Sequence, residues 1–238
     1  MRKKCVAIIP ARGGSKRIPH KNVKLFNGKP IISYAINTAL SSKLFDKVCV
    51  STDDETIATI AKDFGADVPF TRPASLSDDF CPLADVVEHA LKFLKNNLKL
   101  NYSYCCMIYP TNPFSKKTYL KQGLTELIDK AADCAVSVAT TPFPAHRCYK
   151  IDNDGALQPI WREYQNTRSQ DLPQTYQDAG QFNWIDIKRF LASRTSPLGD
   201  NSFKTVPVIL PRYNTQDIDN MEDWDIAERL YKINSCKG

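Results

Sequence analysis

Six short apolar runs with helical patterns between them constrain this chain more than any other feature. They are CVAIIP (5–10), KVCVS (47–51), DVPF (67–70), YCCMIY (104–109), CAVSVA (134–139) and VPVILP (206–211). Most are too continuously apolar for a sheet with one wet face. The intervening segments change period. In DETIATIAKDFG (54–65), Ile57, Ile60, Ala61 and Phe64 recur at helical spacing, and Gly65 is placed to end the helix. PLADVVEHALKFL (82–94) carries a wide apolar face, and YLKQGLTELI (119–128) and IISYAINTAL (31–40) carry others. Strand–helix alternation of this kind predicts an α/β fold, a largely parallel sheet covered by helices on both faces.

The alternation breaks near residue 140. From 141 to about 190 the chain is rich in Pro, Asn, Asp, Gly and aromatics, and YKIDNDGALQPI (149–160) reads as a hairpin through Asp154-Gly155. The pattern resumes at VPVILP and closes with a helix around EDWDIAERLYKI (222–233). The expectation is one domain, 1–238, with an irregular lobe inserted at 141–190. Excursions of that length usually carry function or a partner contact.

Charge and cysteine use narrow the classes. The net charge is +6, but Lys and Arg are spread along the chain, so no nucleic-acid stripe is expected. No apolar run approaches the roughly 20 residues of a membrane span. The apolar stretch after MRKK is shorter than the roughly 7–15 residues of a secretion signal and reads as a first strand, which predicts a cytoplasmic protein. The eight cysteines show no CxxC and no metal-ligand spacing. Cys5, Cys49, Cys105 and Cys134 fall in strand-like runs, where free Cys acts as a small hydrophobe. Cys105 and Cys106 should point to opposite faces of one strand.

The first strand runs into ARGGSKRIPHKN (11–22). In open α/β sheets ligands bind beyond the carboxyl ends of the strands, which is where this loop lies. Gly13 and Gly14 allow close backbone approach and expose N–H donors. Arg12 offers a guanidinium fork and Lys16 a point charge, the pair expected at a phosphate. Asn22 can donate to a phosphate or a ribose. Arg17 and Lys21 read as solvated neighbours. Neither GxxxxGK[ST] nor GxGxxG is present, so P-loop and dinucleotide-oxidoreductase readings fail.

IIPARGGSKRIPHKN resembles the motif of the acylneuraminate cytidylyltransferase family, which activates acidic nine-carbon sugars. GKPIISYAI, VCVSTDDETIATIAKDFGADVPFTRPASLSDDF, IYPTNPF and DIDNMEDWDIAE follow in that family's order. Within it, RPASLSDDF, TPFPAHR, RSQDLPQTYQDAGQFNW and LPRYNTQDID look most like the branch that activates pseudaminic acid. The resemblance implies a Rossmann-like nucleotidyltransferase fold with a projecting dimerisation lobe. It implies a homodimer that transfers CMP from CTP to the sugar acid, releases pyrophosphate and uses Mg²⁺. Sialic acid or another 2-keto sugar acid is the alternative acceptor. A non-catalytic CTP sensor is the alternative class, disfavoured because Arg12, Lys16, Asp217 and Asp219 are all present.

Residue by residue, the resemblance puts Arg12, Ser15, Lys16, Asn22 and Arg72 on the nucleotide, with Pro110 and Thr111 near the base and ribose. Tyr109 stands where relatives have Gln, and Cys81-Pro82-Leu83 where they have small hydroxyl residues. Asp217 and Asp219, at i and i+2 of an extended segment, place both carboxylates on one side. Taken alone they could cap the last helix; the resemblance makes them metal ligands. Asp53-Asp54 is explained by capping, and Asp78-Asp79 stays open between turn and ligand. Arg168, Gln170, Asp178 and Gln181 are implied to read the sugar, with Arg168 suited to its carboxylate.

Overall fold

The computed structural model describes residues 3–193 and 202–235. Cys236 and the tail around it lie outside them. In chain order the strands are β1 (Cys5–Pro10), β2 (Leu25–Phe26), β3 (Lys29–Pro30), β4 (Lys47–Ser51), β5 (Tyr104–Ile108), β6 (Cys134–Thr140), β7 (Tyr149–Ile151), β8 (Leu157–Pro159), β9 (Tyr176–Asp186) and β10 (Thr205–Leu210). The helices are α1 (Ile32–Ser42), α2 (Glu55–Asp63), α3 (Leu83–Asn96), α4 (Lys117–Asp129), α5 (Ile187–Ser193) and α6 (Met221–Ser235).

The central sheet runs β10-β6-β9-β5-β1-β4. β4, β1 and β5 are parallel, as are β6 and β10; β9 lies antiparallel between β5 and β6. β1 is buried along its whole length. Ala7 and Ile9 enter the core on one face, Val6 and Ile8 the core on the other. This is why the run shows no polar alternation. Fully burying one such isoleucine contributes about 1.5–3 kcal/mol. Cys106 and Cys105 divide between the same two cores, as strand geometry requires. Seven described cysteines are free thiols.

Two expectations need correction. Residues 67–70 do not form a strand: Pro69 cannot donate to a ladder, and the segment is tied to β4 by an isolated bridge from Asp67 to Cys49, with Thr71 just beyond it bridging to Thr52. It still follows the sheet edge, with Val50 N–H donating to Asp67 O at 2.8 Å and Arg72 N–H to Thr52 O at 2.7 Å. The second correction concerns 176–190. This stretch is not irregular; it is β9, a central strand, followed by α5. Gly180 at φ +60° and a register shift between Val136 and Val138 interrupt its alternation. The hairpin is as expected, β7 paired with β8, with Gly155 at φ +80° in its turn.

A third, smaller core decides where the site sits. Ile18, Phe26 and Ile31 from the segment after β1 pack with Phe114, Ile218, and with Trp224 and Ala227 of α6. Phe26, Trp224, Tyr34 and Tyr231 make edge-on ring contacts with centroids 5.4–5.7 Å apart. The basic loop is therefore pinned by Ile18, and the segment carrying the two acids is pinned by Ile218. One apolar cluster fixes both.

Candidate active site

A cleft of about 590 Å³ opens at the carboxyl ends of β1 and β5, where the sheet-end rule places a ligand. Three segments supply its walls. The loop after β1 contributes Arg12, Ser15, Lys16, Arg17, Lys21 and Asn22; residues 72–86 contribute Arg72, Asp78, Asp79 and Cys81; the end of β5 contributes Tyr109, Pro110 and Thr111. Asp219 closes one side.

Local chemistry shapes the loop. Gly13 is required by close approach: a Cβ there would lie 2.7 Å from Asp54 Oδ2. Asp54 cannot retreat, because its side chain accepts from Ile57 N–H at 2.9 Å and caps α2. Gly13 N–H donates to Asp53 Oδ1 at 3.1 Å. Asn22 is buried, and its Nδ2 donates to Arg12 O at 2.8 Å, so it clamps the loop from below.

Cations dominate the cleft. Arg72 is only 4% exposed, and its Nε and one terminal nitrogen have no hydrogen-bond partner. Its nearest acid is Asp53, at 3.6 Å. Burial pulls its pKa down, and Asp53 opposes that shift. A buried guanidinium so incompletely paired is a docking point for an anion. Arg12 Nη1 donates to Asp78 O at 2.6 Å, and its Nη2 pairs with Asp79 Oδ1 at 2.7 Å. Lys16 pairs with Asp79 Oδ2. Hydrogen bonding to Lys16, then the charges of Lys16 and Arg12, hold the Asp79 carboxyl below its ordinary range.

The acid segment lies across from these groups. Asp219 pairs with Arg17 at 2.9 Å and Lys21 at 3.6 Å, and Lys21 Nζ also donates to Ile218 O. Desolvation lowers the Lys21 pKa. Burial first, then the neighbouring Asp219, raises that of Asp217. Tyr109, between cleft and sheet, is pushed up to about 12 by burial and by Asp178 and Asp217, so its phenol is neutral.

The cytidylyltransferase family model matches residues 6–230. The chain belongs to this family. Among relatives, the pseudaminic acid cytidylyltransferase of Campylobacter jejuni is 37% identical over 233 residues, 97% of each chain. The CMP-N,N'-diacetyllegionaminic acid synthase of Legionella pneumophila is 30% identical, covering 96% of this chain and 97% of its own. A solved CMP:2-keto-3-deoxy-manno-octonic acid synthetase complexed with CTP shares the fold, with TM-score 0.68 at 17% identity over 97% of this chain and 99% of that one.

In this cytidylyltransferase the cleft gathers Arg12, Ser15, Lys16, Asn22, Arg72, Pro110, Thr111 and Asp219 from the residues that the sequence singles out. Asp217, expected beside Asp219 as a metal ligand, is not among the residues that line the cleft. The four residues expected to read a sugar are not brought to the cleft. Arg168 is exposed and pairs with Asp171 at 2.6 Å, Gln170 is exposed, and Asp178 accepts from Gly180 N–H at 2.8 Å. Gln181 is fully buried, and its Nε2 donates to Asn214 O at 2.6 Å, so it braces the sheet rather than facing solvent.

Sequence reading missed two residues here and left one pair open. Asp53 is not the cap, which is Asp54; it accepts from Gly13 N–H and faces Arg72. Lys21 is half-buried against the acids, not a solvated neighbour. The open question at Asp78-Asp79 divides between them. Asp78 makes the turn by accepting from Phe80 and Cys81 N–H at 2.8 and 2.7 Å, and Asp79 carries the charge contacts. The signal for Lys21 was its place three residues beyond Ile18, inside a loop with a buried anchor.

Proposed function

We propose that this cytidylyltransferase transfers CMP from CTP to an acidic nine-carbon sugar, pseudaminic acid, and releases pyrophosphate. The observation that carries the reading is the buried, underpaired Arg72 converging with Arg12 and Lys16 in a cleft at the strand ends. Relatives named for pseudaminic acid, matched over nearly the whole chain, support the choice of sugar.

The sugar's anomeric oxygen attacks the α-phosphorus of CTP. The bond to the α,β-bridging oxygen breaks, pyrophosphate leaves with that electron pair, and the hydroxyl proton passes to solvent. Such a reaction needs positioning and charge stabilisation more than covalent help. Arg72, Arg12 and Lys16 hold phosphate oxygens and meet the charge that builds on the leaving group. Asn22 and Asp53 keep the loop in place through its backbone. Pro110 and Thr111 border the base and ribose.

Asp217 and Asp219 suit Mg²⁺. Burial first, and then the charge of Asp219, raises the Asp217 pKa, and a bound cation would offset both. Among the described residues no group of three or more His, Cys, Asp or Glu is placed to cage a metal. Two carboxylates suffice for Mg²⁺, which completes its shell with phosphate oxygens and water. Bound there, Mg²⁺ would lower the pKa of the attacking hydroxyl and neutralise phosphate charge.

The protein works as a homodimer in the cytoplasm. Ile151 and Leu157 on the hairpin are 71% and 63% exposed, an apolar surface suited to burial against a second copy. The free thiols suit a reducing compartment. Arg168 and Gln170 reach a sugar only if that assembly brings the lobe to a neighbouring cleft.

The test is pyrophosphate release from each of the four nucleoside triphosphates, with Mg²⁺, across a panel of nonulosonic acids. Turnover with CTP and pseudaminic acid is expected. Turnover with sialic or legionaminic acid alone removes the sugar assignment. CTP binding without turnover on any acid leaves a sensor.

A further inference from the structure

The two cations read as phosphate contacts already hold an anion, and it belongs to the protein. The Asp79 carboxylate bridges them, with Oδ1 on Arg12 Nη2 and Oδ2 on Lys16 Nζ. Arg12 Nη1 is committed to the backbone carbonyl of the preceding residue. Each terminal nitrogen of Arg12 thus gives one N–H to the 78–79 loop, and those two of the guanidinium's five donors are withheld from a phosphate while Asp79 stays. The loop's shape does not need these contacts, because Asp78 makes the turn by itself. Phe80, beside them, is 91% exposed and anchors nothing.

We propose that Asp79 is a built-in competitor for the polyphosphate, displaced from Arg12 and Lys16 when the nucleotide binds and returning as pyrophosphate leaves. This rests on the reading of Arg12 and Lys16 as phosphate contacts. It makes Asp79 a specificity determinant. A ligand must bring enough negative charge to replace a carboxylate on two cations, which a triphosphate does and an uncharged nucleoside does not. The same competition weakens the hold on the pyrophosphate product. A ligand's apparent affinity falls by the fraction of protein whose contacts are free. Two ion pairs, one partly exposed and one on the largely exposed Lys16, set that penalty at about three- to tenfold.

The experiment is calorimetric titration of the full-length protein with inorganic tripolyphosphate, pyrophosphate and cytidine, for wild type, Asp79→Asn, Asp79→Ala and Lys16→Ala. Both Asp79 variants should bind tripolyphosphate and pyrophosphate about three- to tenfold more tightly, and cytidine as before. Pyrophosphate should become a stronger product inhibitor by a similar factor. Unchanged or weaker tripolyphosphate binding in both variants overturns the proposal, since Asp79 then only holds the cations in place. Lys16→Ala separates the two levels. If it loses tripolyphosphate affinity while the Asp79 variants gain none, the competition alone is wrong. If it loses nothing, the phosphate reading of the loop fails with it.

Discussion

At the scale of single residues, the least comfortable group is Arg72. A guanidinium kept from water with one acid at 3.6 Å gives back little of its desolvation cost. Arg72→Met should therefore keep or raise the melting temperature while lowering kcat/KM for CTP by about 10²-fold or more, the scale of a lost preorganised charge. Thermal unfolding beside steady-state kinetics checks this, and a variant that melts early would make the arginine structural. Cysteines offer a second reading of the cleft. Cys81 lines it, and burial, then Asp85 and Asp78, raise its thiol pKa. Less thiolate is present at neutral pH, so alkylation should be slow at pH 7 and quicken as pH rises. CTP should protect Cys81 and leave Cys148 unprotected, and peptide mass spectrometry would show both. Cys5, Cys49, Cys105, Cys106 and Cys134 are buried and should label only on unfolding. Arg12 and Lys16 were legible because their motif is local, and Arg72 only through the family resemblance. Asp79 and Lys21 were not, because their roles come from contacts with residues remote in sequence. The Arg17–Asp219 bond spans 202 positions, and no window along the chain announces it.

Among the elements, five of the six apolar runs are strands: β1, β4, β5 and β6 fill cores on both faces, while β10 alternates, with Val206, Val208 and Leu210 inward and Ile209 half-exposed. DVPF failed at Pro69, yet its edge position sets the backbone of Arg72 through the bond to Thr52. β9 was illegible for a different reason. YQDAGQFNWID mixes polar and apolar residues, its alternation is broken at Gly180, and Gln181 is buried because Asn214 supplies an acceptor. Period-two reading needs one regular face, and this strand lacks one. Its packing gives a sharp test. On α4, a Cβ at Gly123 would lie 2.7 Å from Trp184 Cδ1 and 2.9 Å from Phe182 Cε2. Trp184 is held by its Nε1–H bond to Leu120 O at 3.0 Å. Overpacking against two rings costs about 3 kcal/mol, more than the roughly 1 kcal/mol that alanine returns in helix propensity. Gly123→Ala should lower the melting temperature by about 4–8 °C, measured by calorimetry. An unchanged value would mean that the helix shifts freely on β9.

For the whole molecule, α/β layering was legible from alternation and the extent of the lobe was not, since β9 was counted into it. The proposed homodimer is testable at this scale. Ile151→Asp with Leu157→Asp puts two charges on the exposed hairpin face, and sedimentation should shift from dimer to monomer with the fold intact by circular dichroism. A dimer that persists would place the interface elsewhere. The position of β9 has a consequence for how the chain is made. β4, β1 and β5 find one another within the first 108 residues. β6 takes its strand partners only from β9 and β10, which emerge later. A nascent chain leaving the ribosome therefore carries β5 with one open edge and β6 with two until residue 186 is free. Such edges invite wrong pairing, and contacts this distant in sequence close slowly. Truncations that stop before β9 should aggregate, because the strand that joins the two halves of the sheet is among the last to be synthesised.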